Sequence, residues 1–254
     1  MKNNENILGY SVTTMGTSDC VKKIITWIDD KAKGKIFVCA NPHSLVEARR
    51  DPFFQKVLHT SDLVTPDGTG IVLASQIFGG SIHKRVTGSD IFQGLNKALN
   101  ESGGKSCFFL GSTEQTLATI QQKMTMEFPN ITFAGSYSPP YKAEFSEEES
   151  QQMIDAVNSQ NPDVLWVGMT APKQEKWLYE HRHKLDVRFM GAIGAVFDFY
   201  AGNVKRSHPI FQRMGLEWLP RLLQEPRRLF RRNFISNPIF IGMVLAQRFG
   251  FRKQ

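Results

Sequence analysis

Short apolar runs alternate with amphipathic helical patterns through most of this chain, and that alternation restricts its fold more than any other feature. IFVCA at 36–40, CFFLG at 107–111, ITFAG at 131–135, DVLWVG at 163–168 and VRFMG at 187–191 each have the length and apolar content of a buried strand. Residues 62–66 add a shorter one. Between the runs, apolar residues recur at helical spacing. Val21, Ile24, Ile25 and Ile28 share one face of 18–32, which Ser18 or Asp19 can cap. Asn41-Pro42 can open a helix carrying Leu45, Val46 and Ala48, and DGTG at 67–70 feeds the run IVLASQIF. Ser112 with Gln115, and Ser146 with Glu149, form capping-box patterns ahead of two further apolar stripes. A helix from near Pro172 carries Trp177, Leu178, His181 and Leu185. Strands buried on both sides and joined through helices predict an α/β fold, a Rossmann-like sheet covered by helices. Ligands of such sheets bind beyond the carboxyl ends of the strands, so the loops after these runs should line one site.

After Gly202 the pattern changes. Arginines interleave with large apolar residues, and prolines at 209, 220, 226 and 238 divide the stretch into short helices. The expected organisation is a Rossmann-like domain over 1–204 and a basic amphipathic helical appendage over 205–254. Charge follows the same division. The net +7 of the chain resolves into +9 from 205 onward and −2 before it. A basic tail on a near-neutral body suggests an anionic partner: lipid head groups, phosphates or nucleic acid.

Cys20, Cys39 and Cys107 are odd in number and form no C-x-x-C, and Cys39 and Cys107 lie in apolar runs, which favours a reducing compartment. The polar N-terminus does not read as a signal peptide, and the longest apolar run, 239–246, is far short of the roughly 20 residues that span a bilayer. A cytoplasmic protein attached peripherally to the inner face of the plasma membrane is expected.

Neither a Walker P-loop nor a G-x-G-x-x-G is present, which sets aside the usual nucleotide-hydrolase and dinucleotide sites. D-x-D is absent and the histidines lack ligand spacing, so no metal is expected. The candidate chemistry lies in the loops. In TPDGTG, Asp67 stands at a strand end where a carboxylate can face a ligand or simply cap the next helix, with Gly68 and Thr69 beside it. In RVTGSD, Arg85 can meet a phosphate or stay solvated, and Ser89 or Asp90 reads as a cap. In GMTAPKQE, Gly168, Lys173, Gln174 and Glu175 open a helix whose free amides attract anions; Glu175 also suits a first turn without any ligand. Gly111, Gly135 and Tyr137 close two other strand ends. Arg221, Arg227, Arg228, Arg231 and Arg232 suit phosphate, and the apolar residues between them speak against a purely solvated face.

Taken in order, Asn41 after a strand, TPDGTG, RVTGSD, FFLG, PKQE, FDFYAG with KRS, and EWLPRLLQEPRR resemble the WecG/TagA/CpsF glycosyltransferases, family twenty-six of the carbohydrate-enzyme classification, over about residues 10–235. The resemblance implies a UDP-sugar donor, inversion at the anomeric carbon, no cofactor and no metal. It also implies a polyprenyl-diphosphate-linked saccharide acceptor in wall, capsule or exopolysaccharide assembly. Through it, Asp67 matches the catalytic base, Asn41, Arg85 and Gln174 match other active-site positions, and Arg221, Arg228 and Arg231 match appendage arginines tied to catalysis. Cys39 stands where a threonine is common, GMTAPKQE replaces a more glycine-rich loop, and KRSHP replaces KRAP. The implied partners are the UDP-sugar, the lipid-linked acceptor and an anionic membrane surface, without nucleic acid; self-association into a homo-oligomer is left open. The competing reading is a non-catalytic nucleotide-sugar-binding protein at the membrane surface, or a nucleic-acid binder using the basic tail. The donor sugar is open among N-acetylmannosamine, its uronic acid, N-acetylglucosamine and glucose.

Overall fold

The computed structural model describes residues 3–204 and 230–250, the side chains at 231 and 233 excepted. Six parallel strands form the central sheet: β3 (Lys35–Ala40), β4 (Leu63–Pro66), β5 (Lys105–Gly111), β6 (Ile131–Tyr137), β7 (Val164–Gly168) and β8 (Phe189–Ala192). Their spatial order is β4-β3-β8-β7-β5-β6. The Rossmann-like α/β expectation holds, and every strand read from the sequence is present. Ahead of the sheet, β1 (Asn4–Ile7) and β2 (Tyr10–Thr13) form an antiparallel hairpin that the sequence did not announce. Its first strand, NENI, is too polar to alternate visibly.

Helices cover both faces. One layer holds α2 (Pro42–Arg50), α3 (Pro52–Thr60), α4 (Thr69–Phe78), α7 (Glu147–Asn158) and α8 (Lys173–His181), which meet Ile36, Val38, Leu110, Val167 and Met190. The other holds α1 (Thr17–Asp29), α5 (Gly88–Ser102), α6 (Glu114–Glu127) and α9 (Val196–Ala201), which meet Phe37, Phe109, Trp166 and Phe189. Residues one apart along each strand thus enter opposite cores, which is why these strands read as unbroken apolar runs. At the C-terminus a π-helical turn (Arg231–Ser236) leads into α10 (Asn237–Arg248). Phe240 and Val244 of α10 are buried against α2 and α4.

The helix starts test the capping readings. Ser146 and Glu149 form the expected reciprocal box. Asn41 caps α2 and Ser44 completes a box. At α6 the cap is Thr113 and not Ser112, because Ser112 sits at φ 60 and turns the chain out of β5. At α5 the cap is Thr87, with Asp90 as its reciprocal partner, in place of Ser89 or Asp90 itself. At α1 the cap position is Gly16, with no side-chain bond from Ser18 or Asp19. The α8 helix stops at His181, so Leu185 packs from the following turn.

Candidate functional site

The sheet brings the predicted loops to its carboxyl edge. On one side, β3 and β4 end in register, with Ala40 opposite Pro66, so Asn41 and Asp67 leave the sheet together. The Asp67 amide donates to Ala40 O at 2.8 Å. Gly68, at φ 111, turns the chain into α4 and takes the helix-cap position itself, one residue beyond Asp67. A Cβ on Gly68 would lie 3.8 Å from Asn41 Cβ, and one on Gly70 would clash at 2.5 Å with Pro42 Cγ. These glycines let the two helix starts pack side by side. Val86 N donates to Pro66 O at 2.9 Å, which lays the Arg85 segment beside the same turn. Asn41, Asp67 and Arg85, dispersed in sequence, therefore converge. All three are half-buried. Asn41 spends its Oδ1 on the Ser44 amide at 3.0 Å, so Nδ2 is the group it can offer a ligand. Cys39 lies just beneath, 3.7 Å from Thr65 Oγ1; burial, and then the Asp67 carboxylate, hold its thiol well above the usual range.

On the other side, β5 and β7 pair Gly111 with Gly168 at their ends. Gly111 has φ 118, and a Cβ there would fall 2.5 Å from Gly168 O. Only glycine allows that approach. The helices that follow these strands, α6 and α8, lie on opposite faces of the sheet. The chain thus departs in opposite directions from neighbouring strands, the topological switch point at which ligands of such sheets bind. Tyr137 ends β6 opposite Leu110 and is half-buried, while Thr69 is exposed. Lys173 reaches Lys142 O at 2.7 Å and lies 4.4 Å from the centre of the Phe145 ring; burial lowers its pKa.

Three residues expected to contact a ligand have a different setting. Gly135 is not at a strand end, because β6 runs on to Tyr137; it sits in a register shift where a Cβ would press on the Phe108 ring at 3.0 Å. Gln174 and Glu175 are 3% and 5% exposed. Gln174 Oε1 accepts from Met169 N at 3.2 Å and from Gly194 N at 3.1 Å, and its Nε2 donates to Glu175 Oε1 at 3.0 Å. The pair clamps the loops after β7 and β8.

Two features at this edge escaped the sequence. Gly194, the loop end held by Gln174, gave no local signal, since its role depends on β8 lying beside β7. The His43 Nδ1 to Ser236 Oγ contact at 2.8 Å ties the C-terminal segment to the start of α2, and Phe240 packs 3.5 Å from where a Gly70 Cβ would be. Ser236-Asn237-Pro238 is the one sequence signal for that helix start. Arg221 and Arg228, and the side chain of Arg231, lie outside the described residues. Among the described residues no group of His, Cys, Asp or Glu is arranged to hold a metal ion, and no helix is long and apolar enough to cross a membrane.

The family model described as "Glycosyl transferase WecG/TagA/CpsF family" matches residues 5–254. Curated proteins named N-acetylglucosaminyldiphosphoundecaprenol N-acetyl-beta-D-mannosaminyltransferase are similar across most of the chain. The Bacillus spizizenii protein is 32% identical over 85% of this chain and 80% of its own length. The Bacillus subtilis protein is 31% identical over 87% and 82% respectively. The Staphylococcus aureus protein is 27% identical over 98% and 94%.

Proposed function

The chain belongs to the WecG/TagA/CpsF family of glycosyltransferases, and on that premise we propose that it transfers N-acetylmannosamine from a UDP-sugar to the N-acetylglucosamine of a polyprenyl-diphosphate-linked acceptor. The observation that carries the site assignment is the convergence of Asn41, Asp67 and Arg85 at the carboxyl edge of the sheet, the edge where Gly111 and Gly168 end β5 and β7. The sugar and acceptor follow the names of the relatives.

In this reading the switch point at the ends of β5 and β7 takes the uridine diphosphate, where backbone amides at the starts of α6 and α8 face the phosphates. The acceptor hydroxyl approaches from the β3–β4 side. Asp67 removes its proton as the oxygen bonds to the anomeric carbon. The bond from that carbon to the diphosphate oxygen breaks in the same step, and its electron pair leaves on UDP. One displacement inverts the centre, in keeping with the β-linkage in the relatives' names and an α-linked nucleotide sugar. Arg85, with Arg221, Arg228 and Arg231 from the appendage, offsets the charge that builds on the departing diphosphate, without a metal.

Peripheral attachment to an anionic membrane completes the reading. The helices α4 and α10 pack together, and both leave large apolar side chains exposed: Leu73 and Ile77 on the first, Ile241 and Leu245 on the second. Each basic residue of the tail close to such a surface adds about 1 kcal/mol of attraction.

The test is direct. Purified protein is given UDP-N-acetylmannosamine and a short-chain lipid diphospho-N-acetylglucosamine, with UDP-N-acetylglucosamine and UDP-glucose in parallel. The expected product is a β-linked disaccharide lipid from the first donor. Preference for another donor would overturn the sugar assignment, and absence of transfer from every donor would overturn the catalytic reading.

A further inference from the structure

Glu175 is a buried carboxyl with half of its hydrogen-bonding capacity unused. Its side chain is 5% exposed, and Oε2 lies out of contact with solvent without a hydrogen-bond partner. Oε1 accepts from Gln174 Nε2 at 3.0 Å. Among the described residues no lysine or arginine pairs with it. A buried carboxylate without a cation costs far more than the neutral acid in the same place.

Its neighbours are few. On its own helix Gln174 is the direct partner, and His181 stands a turn and a half further on, against Trp177. The helix packs on α3, β8 and β3, and its Trp177 donates to Ser150 Oγ of α7, whose Glu149 is engaged by Lys142. From α3, Asp51 is engaged with Lys176, and Lys56 lies over the Tyr179 ring. From β8 come only the apolar or small residues Phe189–Ala192. From β3 comes Cys39, whose thiol is raised first by burial, then by the Asp67 carboxylate and, less, by that of Glu175 when ionised. Asp67 and Glu175 thus both act on Cys39.

The Gln174 amide transmits the effect. Its oxygen takes two backbone N–H groups, from Met169 after β7 and Gly194 after β8. A flipped amide would set its NH2 against those donors, so the nitrogen must face Glu175. The orientation that joins the two loops is the orientation that Glu175 holds.

We propose that Glu175 is a positioning residue that works as the neutral acid: it holds the Gln174 amide in the orientation joining the β7 and β8 loops, and its ionisation weakens binding of the anionic donor. The donor and its location rest on the function proposed above. Burial pushes the Glu175 carboxyl up to about 7 from an ordinary value of 4.5, so the change falls in a physiological range. Ionisation adds an uncompensated negative charge near a diphosphate and near Asp67.

Two measurements on the full chain test this. First, affinity for UDP-N-acetylmannosamine, whose diphosphate diester does not titrate in this range, is measured by calorimetry at pH 6.0 and 8.5. The wild type should weaken about tenfold at the higher pH, and Glu175→Gln should bind equally at both and match the wild type at pH 6.0. Glu175→Ala, which frees the Gln174 amide, should bind less well at both. Equal pH dependence in the wild type and Glu175→Gln, or Glu175→Gln as weak as Glu175→Ala at pH 6.0, would overturn the proposal. Secondly, thermal unfolding needs no ligand and so stands apart from the transferase reading. A carboxyl raised by folding contributes stability that is complete below its unfolded pKa and is lost as pH rises through about 7. The Tm of Glu175→Gln should therefore gain on the wild type between pH 5 and 8.5, and a constant difference would sink the neutral-acid role. Absence of turnover with intact pH-dependent binding and unfolding would fault the transferase reading alone.

Discussion

The two halves of the carboxyl edge are built from different materials. At β3 and β4 the candidate groups are side chains: Asn41, Asp67 and Arg85, set by a register that ends both strands together and by glycines that bring two helix starts into contact. At β5 and β7 the working surface is backbone: Gly111 against Gly168, helix starts on opposite faces of the sheet, and a glutamine clamp beneath. Side chains with charge suit proton transfer and leaving-group stabilisation, while bare backbone suits close approach to a diphosphate. Under the proposed function, chemistry falls to one half and donor binding to the other, and substitutions in each half should separate the two.

The largest effect is expected at Asp67. Asp67→Asn keeps the shape of the turn and removes the base, so turnover should fall by about 10²-fold or more while UDP-sugar affinity stays near that of the wild type. Steady-state kinetics with calorimetry decide it, and near-normal turnover would remove Asp67 from the role. Next is Phe240, which packs from α10 onto the Pro42 and Gly70 contact that sets the chemical half. Phe240→Ala should cost about 3 kcal/mol in denaturant unfolding and lower turnover more than donor affinity. If donor affinity falls more than turnover, the division between halves is wrong. A smaller effect is expected at Gly111. Gly111→Ala introduces a Cβ into Gly168 O at a φ of 118, at a cost of about 2 kcal/mol in stability, and UDP-sugar affinity should suffer before the rate at saturation does. The smallest is no effect at all: if charged side chains serve in place of a metal, transfer should continue in excess EDTA. Loss on chelation with recovery on Mg²⁺ or Mn²⁺ would break that half of the comparison.

The charged half was more legible in the sequence than the backbone half. TPDGTG and the Asn41-Pro42 break announced themselves through turn and cap chemistry, which is local. Gln174 was matched to an active-site position through the family resemblance, and nothing in the sequence showed that its oxygen would be held by Met169 and Gly194. Met169 is a near neighbour in sequence, but Gly194 reaches the clamp only because β8 lies next to β7. Gly135 was placed at a strand end because ITFAG looks complete, and the bulge that carries β6 on to Tyr137 depends on pairing with β5. Cap positions erred by one to three residues where several hydroxyl or carboxyl groups stood together, as at Thr87 and Thr113. Adjacent caps have nearly the same local preference, and the tertiary path of the chain selects one.

Hydrophobic periodicity alone determined the α/β class and the six strands of the central sheet with the loops that follow them, because burial on both faces of a sheet leaves a one-dimensional trace. The basic, apolar tail was equally plain as composition. Strand neighbours, the meeting of Asn41, Asp67 and Arg85, the placing of α10 over α2 and α4, and the solitary burial of Glu175 were decided only in three dimensions. Each depends on contacts between segments far apart in sequence, and a carboxyl group carries no mark in its own sequence of whether water or a cation will reach it once the chain has packed.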